Sequence, residues 1–187
     1  RQHGRRGAFF HPADRLDEYR YRVTIGALRV SFQKTIAKGV ERNGVGLHSG
    51  VDVRLALRPA PANTGVVFRR TDLEGDAAVI PARFDHVADT RLCTAIANAD
   101  GASVATIEHV MSALSGMEID NCFVDVSGPE TPVMDGSAAP FVEMIREAGI
   151  KQQDMPRRVI RILREVRVGD DRTWARLSPA DEFRLSF

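Results

Sequence analysis

The chain reads as an α+β protein: a two-layer sandwich in which a sheet carries helices on one face. Three observations predict this. Val51, Val53, Leu55 and Leu57 alternate with Asp52, Arg54, Ala56 and Arg58, the period-two signature of a half-buried strand. Two later stretches, around Glu108 and from Ser137 to Ala148, place their apolar residues at helical spacing instead. Of the 187 residues 43% are hydrophobic but only 6% aromatic, so the core between the layers must be aliphatic.

Residues 1–33 are expected to be an extension, disordered or foreign to the rest of the chain. Arg1, Arg5, Arg6, Arg15, Arg20, Arg22 and Arg29 are opposed there only by Asp14, Asp17 and Glu18, with no amphipathic period. A basic arm for acidic lipid or nucleic acid is the competing idea. The whole chain is nearly neutral at +1, and no defined motif of stacking aromatics accompanies the arginines, so nucleic acid is not the expected partner. The chain starts at Arg1 rather than Met, so it is expected to be a fragment or to have lost its true start. No run approaches the ~18–20 apolar residues of a membrane span, and the charged start lacks the apolar stretch of a signal peptide. Cys93 and Cys122 are too few for a disulfide framework and not spaced like a zinc knuckle, which predicts a reducing, cytoplasmic setting.

From Lys34 the pattern becomes orderly. Asn43-Gly44-Val45-Gly46-Leu47-His48-Ser49-Gly50 either offers backbone N–H groups to a phosphate or makes a tight turn before the Val51 strand. No Lys-Ser/Thr follows and no βαβ unit surrounds it, which favours the turn, with His48 as a hydrogen-bonded loop histidine. Pro59 and Pro61 end the strand, and residues 65–70 form the next. Residues 80–91 are ambiguous. A strand is expected over 92–97, with Cys93 a small apolar residue rather than a nucleophile, and a turn over 98–101.

In the first helix Val104, Ile107, Met111 and Leu114 form the stripe, Thr106 or Ser103 caps the start, and Gly116 sits near the end. Glu108 and His109 lie off the centre of that stripe. A neutral imidazole ligates zinc and an adjacent carboxylate can take a proton from metal-bound water, although the same pair also suits a solvated helix edge. The next strand covers 121–126. The rigid loop from Pro129 to Phe141 leads into the second helix, capped by Asp135 or Ser137, with Phe141, Met144, Ile145 and Ala148 inward and Gly149 at its C-terminus. Residues 151–158 read as a linker. After it come residues 159–168, a turn at 169–172 and residues 174–177, the opening of further strands. Phe183, Leu185 and Phe187 alternate with Arg184 and Ser186, so a strand is under way at the last residue, as if a second domain had just begun.

Taken in order, these segments resemble the zinc-dependent UDP-3-O-acyl-N-acetylglucosamine deacetylases of lipid A biosynthesis. The residues that carry the resemblance are Gly44–Gly50, Arg58-Pro59-Ala60-Pro61 with Thr64–Arg70, Asp89-Thr90-Arg91-Leu92-Cys93-Thr94, the Ile107-Glu108-His109 helix, Gly116–Asn121, and Pro132–Phe141, together covering roughly residues 34–187. The resemblance implies two similar sandwich domains, each of the ribosomal protein S5 domain 2-like kind, with the active site in the cleft between them. It implies a first domain over 34–150, a linker over 151–158, and the start of a truncated second domain over 159–187. His109 is implied as a ligand of a single Zn2+, Glu108 as the catalytic general base, and Leu92 and Cys93 as substrate-binding residues.

The family's other zinc ligands belong to its second domain, so the chain as given is expected to be incomplete and inactive. The implied reaction is hydrolysis of the N-acetyl group of a UDP-linked, 3-O-acylated N-acetylglucosamine, by an enzyme that is cytoplasmic and monomeric when complete, whereas this fragment is expected to self-associate. The alternative is a non-catalytic α+β module that binds a sugar nucleotide or a partner protein. Sandwiches of this kind also occur in unrelated RNA-binding and kinase domains, so the fold does not decide between the two.

Overall fold

A computed structural model describes residues 31–181 together with Arg184 and Ser186. Twelve strands and two α-helices are present among them: β1 (Phe32–Ile36), β2 (Val40–Val45), β3 (Asp52–Pro59), β4 (Val66–Arg70), β5 (Val79–Pro81), β6 (Val87–Asp89), β7 (Ala95–Ala97), β8 (Ser103–Val104), α1 (Glu108–Gly116), β9 (Cys122–Val126), α2 (Ala139–Ala148), β10 (Ile150–Pro156), β11 (Val166–Gly169) and β12 (Trp174–Leu177). The strand expected over Phe183, Leu185 and Phe187, and nearly all of the N-terminal extension, lie outside the described residues.

The main sheet has the order β2-β3-β9-β4-β5. All its pairings are antiparallel except β4 with β9, so the sheet is mixed. Its alternation decides where the core lies. Val53, Leu55 and Leu57 of β3, Phe68 of β4, Ile80 of β5 and Val124 and Val126 of β9 face inward, and all are buried. They form one cluster with Val110, Ala113 and Leu114 of α1 and Phe141, Met144, Ile145 and Ala148 of α2. The α+β two-layer arrangement is therefore present, with both helices on one face. The opposite face is polar: Asp125 bonds to both Arg58 and Arg69, and the Arg69 guanidinium lies 4.3 Å from the centre of the Phe123 ring.

Several elements differ from expectation. The sheet structure begins at Phe32, two residues before Lys34, and Gln33 is buried. Residues 151–156 are not an irregular linker; they belong to β10, which pairs antiparallel with β1. The run Lys151-Gln152-Gln153-Asp154 has no apolar face to announce a strand, and amide side chains hold it instead. Asn121 Nδ2 donates to both Gln33 and Gln153, Gln33 Nε2 donates to the Pro156 carbonyl, and Gln153 Nε2 donates to the Ala60 carbonyl. Val104 is a buried residue of β8 rather than of the helix, and the strand expected over 92–97 shortens to Ala95–Ala97. Residues 80–91 resolve into β5, a 3-10 turn at Phe84–His86 and β6.

Among the described residues β11 and β12 pair only with each other, and every residue in them is exposed. Their register puts Val166 opposite Leu177 and Val168 opposite Ala175 on one face. On the other face Arg167 and Arg176 both lie against the Trp174 ring.

Candidate active site

Helix α1 begins without a side-chain cap, so neither Thr106 nor Ser103 serves as one. Thr106 instead adopts φ +58, a left-handed conformation that a β-branched residue rarely takes. It is buried, its hydroxyl donates to Glu130 over 2.7 Å, and its carbonyl accepts the Thr131 hydroxyl. The chain then enters α1 through Ile107, whose N–H reaches the Thr94 carbonyl.

That entry places the two candidate residues. Glu108 and His109 occupy the first turn of α1, and both are half-buried. The Glu108 carboxylate accepts the Thr94 N–H at 3.0 Å. Thr94 thus uses its N–H and its carbonyl on the α1 entry, which brings the neighbouring Leu92-Cys93 segment to the same corner. Leu92 is 84% exposed, and Cys93 is half-buried. Next to them Asp89 accepts Arg91 in a fork, which holds its carboxyl well below the usual carboxylate range. Cys122 is different in kind: burial pushes its thiol up to about 12, and it packs in the core.

Two further acidic residues complete this corner. The sequence assigns Asp135 only a capping role and does not single out Glu130. Glu130 is 2% exposed. Burial alone would raise its pKa, but donation from the Ser49 hydroxyl, the His48 and Ser49 N–H groups and the Thr106 hydroxyl outweighs that and holds it at about 2. The glycine-rich loop does gather N–H groups around an anion, but that anion is the chain's own Glu130. A β-carbon at Gly46 would lie 2.5 Å from its Oε2, which is why glycine stands there. Asp135 accepts the N–H and hydroxyl of Ser137, and these bonds hold its carboxyl down; attraction to His109 adds a smaller share. Ser137 in turn accepts the N–H of Ala139, the first residue of α2, but the N-cap position is Ala138 and carries no side-chain cap bond, so neither Asp135 nor Ser137 caps the helix as expected. The sequence signal for Glu130 is a lone acid in a proline-flanked loop, facing a glycine turn more than 80 residues earlier.

Among the described residues no three His, Cys, Asp or Glu side chains are grouped as metal ligands. His109 offers one nitrogen, where catalytic zinc sites use three protein ligands. The described donor set does not by itself fit a zinc ion.

The chain is similar to known proteins over most of its length. Residues 33–187 match the family described as UDP-3-O-acyl N-acetylglycosamine deacetylase. A UDP-3-O-acyl-N-acetylglucosamine deacetylase of Pseudoalteromonas atlantica is 51% identical over 155 residues, covering 83% of this chain and 51% of the relative. Enzymes of the same name from Shewanella sp. (strain W3-18-1) and Shewanella oneidensis are each 49% identical over 156 residues, with the same coverage. The chain therefore spans about half the length of the curated relatives it matches.

Proposed function

From the premise that this chain belongs to the UDP-3-O-acyl N-acetylglycosamine deacetylase family, we propose that it forms one half of a zinc-dependent amidase site. The substrate class is a UDP-linked, 3-O-acylated N-acetylglucosamine, and the reaction removes its acetyl group on the way to lipid A. In this reading Glu108 is the general base and His109 supplies one zinc ligand. The remaining ligands come from the part of the relatives that this chain does not span. Bound zinc polarises an amide carbonyl and lowers the pKa of water. Leu92 and Cys93, at the corner beside Glu108, line the substrate side. Among the described residues no helix is long and apolar enough to cross a membrane, and we place the enzyme in the cytoplasm, monomeric when complete.

The observation that carries this reading is the start of α1. A carboxylate and an imidazole sit side by side on its first turn, half-buried, with the carboxylate held by the Thr94 N–H. The test is a chimera in which residues 33–187 replace the matching segment of the Pseudoalteromonas atlantica enzyme. It should release acetate from UDP-3-O-acyl-N-acetylglucosamine, and Glu108→Ala should lower kcat by at least about 100-fold, as loss of a general base does. Undiminished turnover in Glu108→Ala would remove Glu108 from the chemistry.

The lack of a three-ligand group among the described residues favours a second reading for this chain alone: a module that binds the sugar nucleotide without turnover. That reading predicts that His109→Ala leaves nucleotide binding unchanged.

A further inference from the structure

Thr106 is the one non-glycine residue in the left-handed region that directly precedes the α1 entry. A backbone strain of this kind persists only where surrounding bonds over-determine it. Here the bonds converge on Glu130. Its carboxylate takes the His48 N–H at 3.0 Å, the Ser49 N–H at 2.8 Å and the Thr106 hydroxyl at 2.7 Å. The strand-like bridges around it fix the same three segments: Gly46 opposite Pro132, and Ala105 opposite Glu130. Backbone bonds from Ala105 to Pro129 and from Thr131 to Ala105 close the frame.

We propose that Glu130 is a positioning residue: a buried carboxylate that clamps the 46–49 loop to Thr106 and thereby sets where Glu108 and His109 project from the uncapped start of α1. Its hydrogen bonds run to the loop and to Thr106, and it acts through Thr106. The inference rests on the reading of Glu108 and His109 as the reacting pair, but its structural half stands without that reading. A helix whose first turn lacks a cap is free to fray, and fraying here would move both side chains. Both carboxylate oxygens already accept from the loop and Thr106 donors, so its task is to hold rather than to bind.

Hydrogen exchange on the 187-residue chain separates clamping from plain stability. The Thr94 amide, bonded to Glu108, reports the position of that carboxylate. Glu130→Gln keeps the size but replaces an acceptor with a donor facing donors. It should speed exchange at Ser49 and Thr94 by about tenfold or more, while amides of β3 and β9 stay within about twofold. Thr106→Gly relieves the left-handed strain yet deletes the hydroxyl. It should leave the core amides as slow as before or slower, and still loosen Thr94. Thr106→Ser, which retains the hydroxyl, should restore Thr94 protection. In the chimera with the Pseudoalteromonas atlantica enzyme, Glu130→Gln should lower kcat by about 10- to 100-fold with KM little changed, the size seen when a support to a metal ligand is lost. Equal acceleration at Thr94 and at the core amides, or no change at Thr94 in either variant, overturns the clamp. Loosened Thr94 with unchanged kcat overturns the positioning role of Glu130, and Glu108→Ala in the same chimera tells that apart from failure of the Glu108 assignment itself.

Discussion

Glu130 shows how one side chain can be costly to bury and still stabilise. Its ordinary pKa of 4.5 falls to about 2 in the folded chain. A group whose folded pKa is depressed contributes stability that is present above the unfolded value and lost as pH falls through the folded one. The clamp should therefore stabilise fully above about pH 5 and fade between about pH 4.5 and 2, with a contribution on the order of 3 kcal/mol at neutral pH. Thermal unfolding of the wild type and Glu130→Gln, measured from pH 7 to pH 2.5, should show a large gap in Tm at neutral pH that closes toward pH 2.5. A gap independent of pH would mean that Glu130 is not ionised in the way its donors imply. This residue is not legible in the sequence, because its partners at His48, Ser49 and Thr106 are distant along the chain and are mostly backbone groups. The placement of Glu108 and His109 side by side on a helix is legible, because adjacency on one helical turn is a local property.

At the scale of elements, α2 is readable to the residue: Phe141, Met144, Ile145 and Ala148 are its buried face. Apolar spacing encodes that face directly. The start of α1 is hidden because Val104 continues the apolar spacing although the chain there is still strand, and the turn at Thr106 leaves no mark in a hydrophobic pattern. β10 is hidden for the opposite reason. Its side chains are polar, and its pairing with β1 depends on the buried amides of Gln33 and Asn121. Gln33→Ala would strip partners from the Asn63 N–H and from Asn121 Nδ2. It should cost about 1–3 kcal/mol, the usual penalty for buried polar groups left unmade, in urea unfolding. A cost below about 0.5 kcal/mol would show that water replaces the amide without loss. Ending the chain after Gly149 removes β10 along with the Arg157–Asp120 ion pair, and should destabilise far more than ending it after Arg158.

For the molecule as a whole, the layered core and the β11–β12 hairpin contribute unequally. The core cluster draws on β1 to β5, β7 to β9 and both helices but takes no residue from β6, β10, β11 or β12. A two-stranded hairpin without a packed face is marginal by itself. Deleting residues 159–187 should thus change the Tm of this chain by no more than about 2 °C, whereas Leu55→Ala in the core should cost about 2–5 kcal/mol. A fall in Tm after that deletion comparable to the Leu55→Ala loss would show that the hairpin packs on the core. Fold class is legible at this scale because period-two and helical patterns survive in the buried residues. The stretch over 151–156 is not, since polar β10 occupies what composition marks as a linker.

Zinc binding by the chimera that joins residues 33–187 to the rest of the Pseudoalteromonas atlantica enzyme tests the half-site most directly. The wild-type chimera should bind one zinc ion, and His109→Ala should weaken that affinity by at least about 100-fold, while Glu108→Gln keeps the metal and loses turnover. Zinc held at wild-type affinity by His109→Ala would contradict the assignment of the α1 histidine as a ligand.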